Sequence, residues 1–225
     1  MDTYVDELDC NGFVVVPNVL DDCAVEQIIT LMARTGTQHG KRNVLDLDEL
    51  QAIVQDKRVR SLVERVVGAN AVAVRGLFFD KTPAANWMVD WHQDRTIAVR
   101  EQLPATGFNL WTLKAGVPHV QPPVTVLEQM LTLRLHLDDA NESNGALRVI
   151  PASHRAGFIP EKEIKDWVRE SAPITSAVSR GGVLMMRPLI LHASSKARRT
   201  SHRRVLHLEF AAQQLPNGLK WAFSV

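Results

Sequence analysis

The pair His92-x-Asp94 sets an imidazole and a carboxylate two residues apart. On an extended strand, positions i and i+2 share a face, so both side chains reach one point in space. A neutral imidazole nitrogen and a carboxylate oxygen are two of the three donors in the two-histidine, one-carboxylate set that holds non-haem Fe(II) with positions left open. The third donor must then be another histidine, distant in the chain and close in the fold. Taken alone, such a pair is more often a surface ion pair or a satisfied hydrogen bond than a metal site, because 8 histidines and 25 acidic residues spread over 225 positions produce such spacings by chance.

The surrounding pattern indicates what would position such a pair. Gly12 to Pro17 is a short β-branched run stopped by proline and predicts a strand. Asp21 and Asp22 offer N-cap oxygens ahead of Val25, Ile28, Ile29 and Met32, which recur at helical spacing. Residues 43–50 are polar and read as irregular. Val59, Leu62, Val63 and Val66 give a second helical stripe, closed by Gly68. Residues 71–81 form a strand with Arg75, Leu77, Phe79 and Lys81 on one face. Residues 96–126, interrupted by proline and glycine, read as a long connection of the kind that carries function. Residues 131–137 alternate, with leucines on one face and Thr132, Arg134 and His136 on the other. A short strand at 146–150, a short helix at 164–168, and a strand at 183–192 with Pro188 as a bulge or edge follow. Residues 203–210 alternate again, with Arg203, Val205, His207 and Glu209 opposite Arg204, Leu206, Leu208 and Phe210. Helices followed by many short strands predict a mainly β antiparallel sandwich or barrel in one domain, with the helices covering one sheet. A barrel interior lined by such polar groups is costly unless it binds something polar.

Composition narrows the class further. A net charge of +1 supplies no field that would favour nucleic acid or an anionic membrane. No apolar run approaches the roughly 20 residues of a membrane span. The acidic start of the chain lacks a secretory pattern, and Cys10 and Cys23 make no disulfide framework. The expectation is a cytoplasmic protein with reduced thiols.

Four separated stretches carry a family resemblance: Gly12 to Pro17, Trp91-His92-Gln93-Asp94, Asn144 to His154, and Leu191-His192-Ala193-Ser194 with Arg203 beyond. Together, from about residue 12 to 210, they resemble the phytanoyl-CoA dioxygenase family of Fe(II)- and 2-oxoglutarate-dependent oxygenases. The resemblance implies a double-stranded β-helix, or jelly roll. It implies iron held by His92, Asp94 and His192, with 2-oxoglutarate and O2 as co-substrates. Arg203 stands where the family places the arginine that receives the distal carboxylate of 2-oxoglutarate, a task suited to a guanidinium fork. Strand parity favours Arg203 over Arg204. Ser194 matches a hydroxyl near the same carboxylate, and Arg134, with Thr132 as its inward neighbour, falls where relatives touch the co-substrate, often with tryptophan. Ala152 departs from the family's usual glycine. Asp94 fills the carboxylate position that halogenating relatives leave vacant, so halogenation is not expected.

The resemblance implies oxidative decarboxylation of 2-oxoglutarate to succinate and CO2, coupled to hydroxylation of a C–H bond. Desaturation, epimerisation and cyclisation share that chemistry. A cupin-like metal-binding or sensing barrel without turnover is the alternative from another class, but it would not need Arg203 and Ser194. Arg95, Trp111 and His119, with Arg100 and Lys114, are candidates to meet an anionic or planar substrate at the pocket mouth. His136 and His207 read as supporting or core groups, and His154 as structural.

Overall fold

The computed structural model describes residues 3–36, 39–198 and 201–225. Helix α1 (Thr3–Asn11) leads into strand β1 (Phe13–Val16) and helix α2 (Asp22–Arg34). The Asp21 carboxylate accepts from the Ala24 amide at 2.8 Å, which satisfies one of the donors that a helix start leaves unpaired. Val25, Ile28, Leu31 and Met32 form the buried stripe of α2. Strand β2 (Gly40–Arg42), helix α3 (Asp48–Val54) and helix α4 (Lys57–Val66) follow. Residues 43–50, expected to be irregular, instead hold a 3-10 turn (Val44–Asp46) and the start of α3, because Val44, Leu45 and Leu50 are apolar anchors buried in the main core. Helix α1 was not foreseen; Leu8 is its single buried contact.

The sheets are then laid down from β3 (Val72–Lys81), β4 (Val89–His92), β5 (Ile97–Ala98), β6 (Asn109–Lys114) and β7 (Val117–Gln121). After helix α5 (Val124–Glu128) come β8 (Leu131–His136), β9 (Leu147–Val149), helix α6 (Glu161–Glu170), β10 (Ile174–Thr175), β11 (Val183–Met186), β12 (His192–Ser194) and β13 (Arg203–Ala211). A six-stranded sheet runs β1-β11-β8-β13-β3-β2, a four-stranded sheet β10-β9-β12-β4, and a small sheet β5-β7-β6. This is the mainly β jelly roll with flanking helices that the sequence predicted.

The outer face of the large sheet explains its stability. Leu131, Leu133 and Leu135 of β8 and Leu206, Leu208 and Phe210 of β13 are fully buried together with α2, α3 and α4. Each such side chain contributes about 1.5–3 kcal/mol of burial. The reverse faces of β8 and β13, also buried, carry Thr132, Arg134, His136, Arg203, His207 and Glu209. The apolar half therefore offsets the cost of the polar half.

Three further expectations change. The strand expected over residues 183–192 is two strands in different sheets. Pro188 has no amide to donate, the Arg187 amide bonds the Gly12 carbonyl, and the Ile190 amide turns back to the Arg187 carbonyl. The chain thereby crosses from the large sheet to the small four-stranded one, placing His192 opposite the large sheet's polar face. Residues 96–126 are not an open connection. They fold into β5, β6 and β7, anchored by Ile97, Val99, Phe108 and Val120 in a second apolar cluster. The helix expected at 164–168 is longer, as α6. Cys10 and Cys23 are exposed and free. Among the described residues no helix is long and apolar enough to cross a membrane.

Candidate metal and co-substrate site

His92 and His192 are direct register partners in the β4–β12 pair. Their ring centroids are 4.2 Å apart. The Nδ1 proton of His92 is donated to the Asp90 carbonyl at 2.7 Å, and that of His192 to the Ile190 carbonyl at 2.9 Å. Both rings are thus held in the tautomer whose Nε2 carries a lone pair. These Nε2 atoms face Asp94, at 3.9 Å from Oδ1 for His92 and 3.8 Å from Oδ2 for His192. Burial pushes the His192 imidazole down to about 3, so it is neutral near pH 7. Burial would raise the Asp94 carboxyl, but the charges that face it, those of His192, His207 and His92 when protonated and that of the Arg75 guanidinium throughout, outweigh burial and lower it. Three lone-pair donors within 4.8 Å of one another repel unless a cation lies between them. Neutral imidazole, ionised carboxylate and fixed tautomers are the states that a metal ligand requires.

Gln93 fixes this arrangement, and it was not foreseen. Its Nε2 donates to the carbonyls of Gly157 and Leu189, at 2.8 and 2.7 Å, and its Oε1 accepts from the Ile159 amide at 2.9 Å. The Asp94 amide is pinned to the Pro188 carbonyl at 3.0 Å. The turn at Pro188 therefore positions Asp94 as well as His192.

Beyond the donors lies a polar interior with an excess of cations. Arg203 pairs in register with Lys81 across β13 and β3. Lys81 is almost wholly buried, and its Nζ donates to the Ser194 hydroxyl at 3.1 Å and the Ser195 carbonyl at 2.7 Å. Burial first, then Arg203 and Arg134, lower its ammonium from 10.5 to about 8. Arg203 falls to about 10 through burial and Arg134, against which Asp80 acts. Nε and Nη1 of Arg203, Nε of Arg134 and both ring nitrogens of His136 are buried and find no partner among the described residues. Burial and the cations Arg134 and Arg203 push His136 well below its usual range. Orphaned donors around a buried guanidinium are the complement of a carboxylate, so these residues fit 2-oxoglutarate. Arg204 points the other way, bound to Asp138 by two guanidinium contacts at 2.8 and 2.7 Å.

Arg134 donates to His207 Nδ1 at 3.0 Å, the opposite His207 Nε2 donates to Glu209 Oε1 at 3.2 Å, and Arg75 Nη1 donates to the same oxygen at 3.0 Å. His207 is thus a supporting group, as expected, whereas His136 is not a satisfied core group. Thr132 lies opposite Glu209, at the far end of the face from Arg203, because the antiparallel register carries it there. His136, opposite Val205, is the residue of β8 nearest to the Arg203 end. Lys81 and His136 lay on faces legible from alternation. Their meeting with Arg203 depends on register, which the sequence does not state.

The substrate candidates separate. Arg95 turns its guanidinium to Gln93 Oε1, at 3.3 and 3.2 Å, and lies 5.9 Å from the Phe158 ring. With His92, Trp91 and α6 it lines a cavity of about 550 Å³. Trp111 packs against the second apolar cluster. His119 is buried, its Nδ1 donates to the Val117 carbonyl at 3.0 Å, and burial lowers it to about 4. Arg100 is exposed. His154 packs over Gly12, where its ring occupies the space a Cβ would need.

A jelly roll with a two-histidine, one-carboxylate donor set beside a cationic pocket defines the non-haem iron oxygenases that consume 2-oxoglutarate and O2. Residues 8–205 match the model of the phytanoyl-CoA dioxygenase family, and the chain belongs to that family. It is similar to the probable alpha-ketoglutarate-dependent hypophosphite dioxygenase of Stutzerimonas stutzeri, with 24% identity over 187 residues, covering 75% of this chain and 54% of that protein. The chain thus spans about half the length of that curated relative. Its fold is similar to that of AviO1 from Streptomyces viridochromogenes Tue57, with TM-score 0.68 and 19% identity over 95% of this chain and 96% of that one. It is also similar to that of HygX from Streptomyces hygroscopicus with nickel and 2-oxoglutarate bound, with TM-score 0.68 and 15% identity over 94% and 87% of the two chains.

Proposed function

We propose that this chain is a dioxygenase that hydroxylates an unactivated C–H bond of a small-molecule metabolite, with release of succinate and CO2. His92, Asp94 and His192 hold Fe(II). Arg203, with Lys81 and Ser194, receives the distal carboxylate of 2-oxoglutarate, and Arg134 and His136 close the pocket around it. One domain carries the whole arrangement. The observation that supports this reading most is the pairing of two fixed Nε2 lone pairs and an ionised carboxylate with buried guanidinium donors that find no partner among the described residues.

When bound, iron with O2 and 2-oxoglutarate supplies the oxidising power that the side chains lack. The chain's own residues position and insulate. The Asp90 and Ile190 carbonyls hold the two imidazoles in the binding tautomer. Arg203 and Lys81 orient the co-substrate by its far end, so that its 2-oxo end points back towards the histidines. The Arg134–His207–Glu209–Arg75 chain keeps the floor beside Asp94 rigid and hydrogen-bonded. Exposed Cys10 and Cys23 outside any disulfide suit a reducing, cytoplasmic setting.

The test is succinate formation by anaerobically prepared protein given Fe(II), 2-oxoglutarate and then O2, with His192→Ala and Arg203→Ala alongside. Slow succinate release is expected, abolished by the first change and shifted to a higher 2-oxoglutarate requirement by the second. Unaltered protein that binds neither iron nor 2-oxoglutarate would refute the proposal.

A further inference from the structure

The polar face has a second group of cations, at the end remote from Arg203, that neither iron nor 2-oxoglutarate uses. Arg75 on β3 stands in register with Glu209 on β13. Its Nη1 donates to Glu209 at 3.0 Å and to the Thr96 carbonyl at 3.4 Å. Its Nε is buried and has no partner among the described residues. Lys114, at the end of β6, converges on the same spot and donates from Nζ to the Thr96 hydroxyl at 3.2 Å. Among the described residues Lys114 makes no ion pair. Arg42, exposed on β2, is the third cation. The field of the cluster is felt at two of them: burial, then Arg75 and Arg42, lower Lys114 against the opposing pull of Asp94 and Glu209, and burial, then Arg75, lowers Arg42.

This cluster adjoins the candidate iron ligands. Donor atoms of Asp94, His207 and Glu209 lie within 4.8 Å of one another, and Glu209 is the residue that Arg75 grips. Thr96, which both Arg75 and Lys114 contact, is two residues after Asp94. Among the described residues Glu209 is the one carboxylate hydrogen-bonded to the cluster, and it is shared between Arg75 and His207, while Asp94 acts on Lys114 through space. Fe(II) held by Asp94 and by one carboxylate of 2-oxoglutarate is neutral in sum, so it would not balance the three cations. A half-buried ammonium with only a hydroxyl partner, beside a buried guanidinium nitrogen with none, is costly unless an anion completes it. Beside the cluster the side chains of Asp94 and His92 are 22% and 39% exposed.

We propose that Arg75 and Lys114, with Arg42 at the rim, receive an anionic group of the substrate, and that the substrate is a small carboxylate, phosphonate or comparable oxyanion. The proposal rests on the function given above and assigns its substrate class. Thr96 and the neutral His119 form the wall behind the anion. Arg75 sets how far the oxidised C–H bond stands from the metal, and Lys114 selects for charge.

The experiment uses the whole chain loaded anaerobically with Fe(II) and saturating 2-oxoglutarate, so that the Arg203 end is filled. Acetate, propionate, methylphosphonate and phosphite are titrated in by calorimetry, against 1-propanol, propionamide and ethylamine as neutral and cationic counterparts. Binding of at least one anion is expected, with the counterparts silent. Lys114→Gln should weaken that binding about tenfold, the loss of roughly 1.4 kcal/mol. Lys114→Arg should keep it, and 2-oxoglutarate affinity should not change in either variant. Lys114 is half-exposed, so both variants are expected to fold. Failure of every anion to bind, equal binding of the counterparts, or indifference to Lys114→Gln would overturn the proposal alone. Failure of iron or 2-oxoglutarate to bind in the first step would overturn the function and this proposal with it.

Discussion

Replacing Arg203 with methionine should make the ligand-free protein more stable and the co-substrate bind more weakly. Arg203 is 3% exposed, and burial with the neighbouring Arg134 lowers its guanidinium from 12.5 to about 10. At about 1.4 kcal/mol for each tenfold change in proton affinity, holding it charged costs roughly 3 kcal/mol. Methionine keeps the unbranched stem and removes the charge and the two orphaned donors. The gain in unfolding free energy should then be about 1–3 kcal/mol, which for a chain of this size raises Tm by roughly 2–12 °C. The bound state moves the other way. Charge-assisted hydrogen bonds contribute about 1.5–3 kcal/mol each, so the loss of the fork should weaken 2-oxoglutarate about a hundredfold. The assay is thermal unfolding of both proteins with and without metal and a saturating excess of 2-oxoglutarate. The stability order should reverse between the two conditions. A variant that is less stable without ligand and unchanged in 2-oxoglutarate affinity would refute the view that this cation is held in place for a carboxylate.

Lys81 sets a pH dependence. Its folded value of about 8 lies below the ordinary 10.5, so between these the unfolded chain holds more protons and ligand-free stability should rise with pH. The 2-oxoglutarate dianion needs the ammonium, so its Kd, measured with Ni(II) in place of iron, should be flat below about 7 and weaken above about 8, a slope that Lys81→Met removes. Removing one partner of the buried Arg75–Glu209 pair, as in Glu209→Leu, should cost about 3–5 kcal/mol, and Arg75→Leu with Glu209→Leu should recover part of it in denaturant unfolding; a double variant worse than both singles together would contradict the pairing. Ala152 has φ 61°, a left-handed backbone that costs an alanine roughly 1 kcal/mol; Ala152→Gly should raise unfolding free energy by about 0.5–1 kcal/mol, with 2-oxoglutarate affinity unchanged.

Alternation and spacing in the sequence carry much of the architecture. The leucine face of β8 and the polar face behind it were legible because a strand repeats every two residues. The same parity separated Arg203 from Arg204, which the structure places on opposite faces and in different company. The motif resemblance, rather than periodicity, selected His192 from the other histidines. Periodicity alone ran 183–192 together as one strand, since it cannot register that Pro188 lacks an amide at the point where the chain must change sheets. It also missed the β5-β7-β6 sheet, whose strands are short and interrupted by proline and glycine. What remained hidden is what depends on register between distant strands. Lys81 and Arg203 meet because β3 pairs with β13 at that offset, and Thr132 falls beside Glu209 for the same reason. Gln93 was hidden for another reason: besides Arg95, its partners are backbone groups of Gly157, Ile159 and Leu189, which no side-chain pattern reveals.

The most direct test of the account is anaerobic titration of Fe(II) and 2-oxoglutarate into the unaltered protein and into His92→Ala and His192→Ala, followed by the visible charge-transfer absorption of a 2-oxoacid chelated to Fe(II). The account predicts one iron per chain and a 2-oxoglutarate-dependent band in the unaltered protein, absent from both variants while their circular dichroism is unchanged. A band that survives either substitution, or iron that binds with the same affinity in all three proteins, would contradict it.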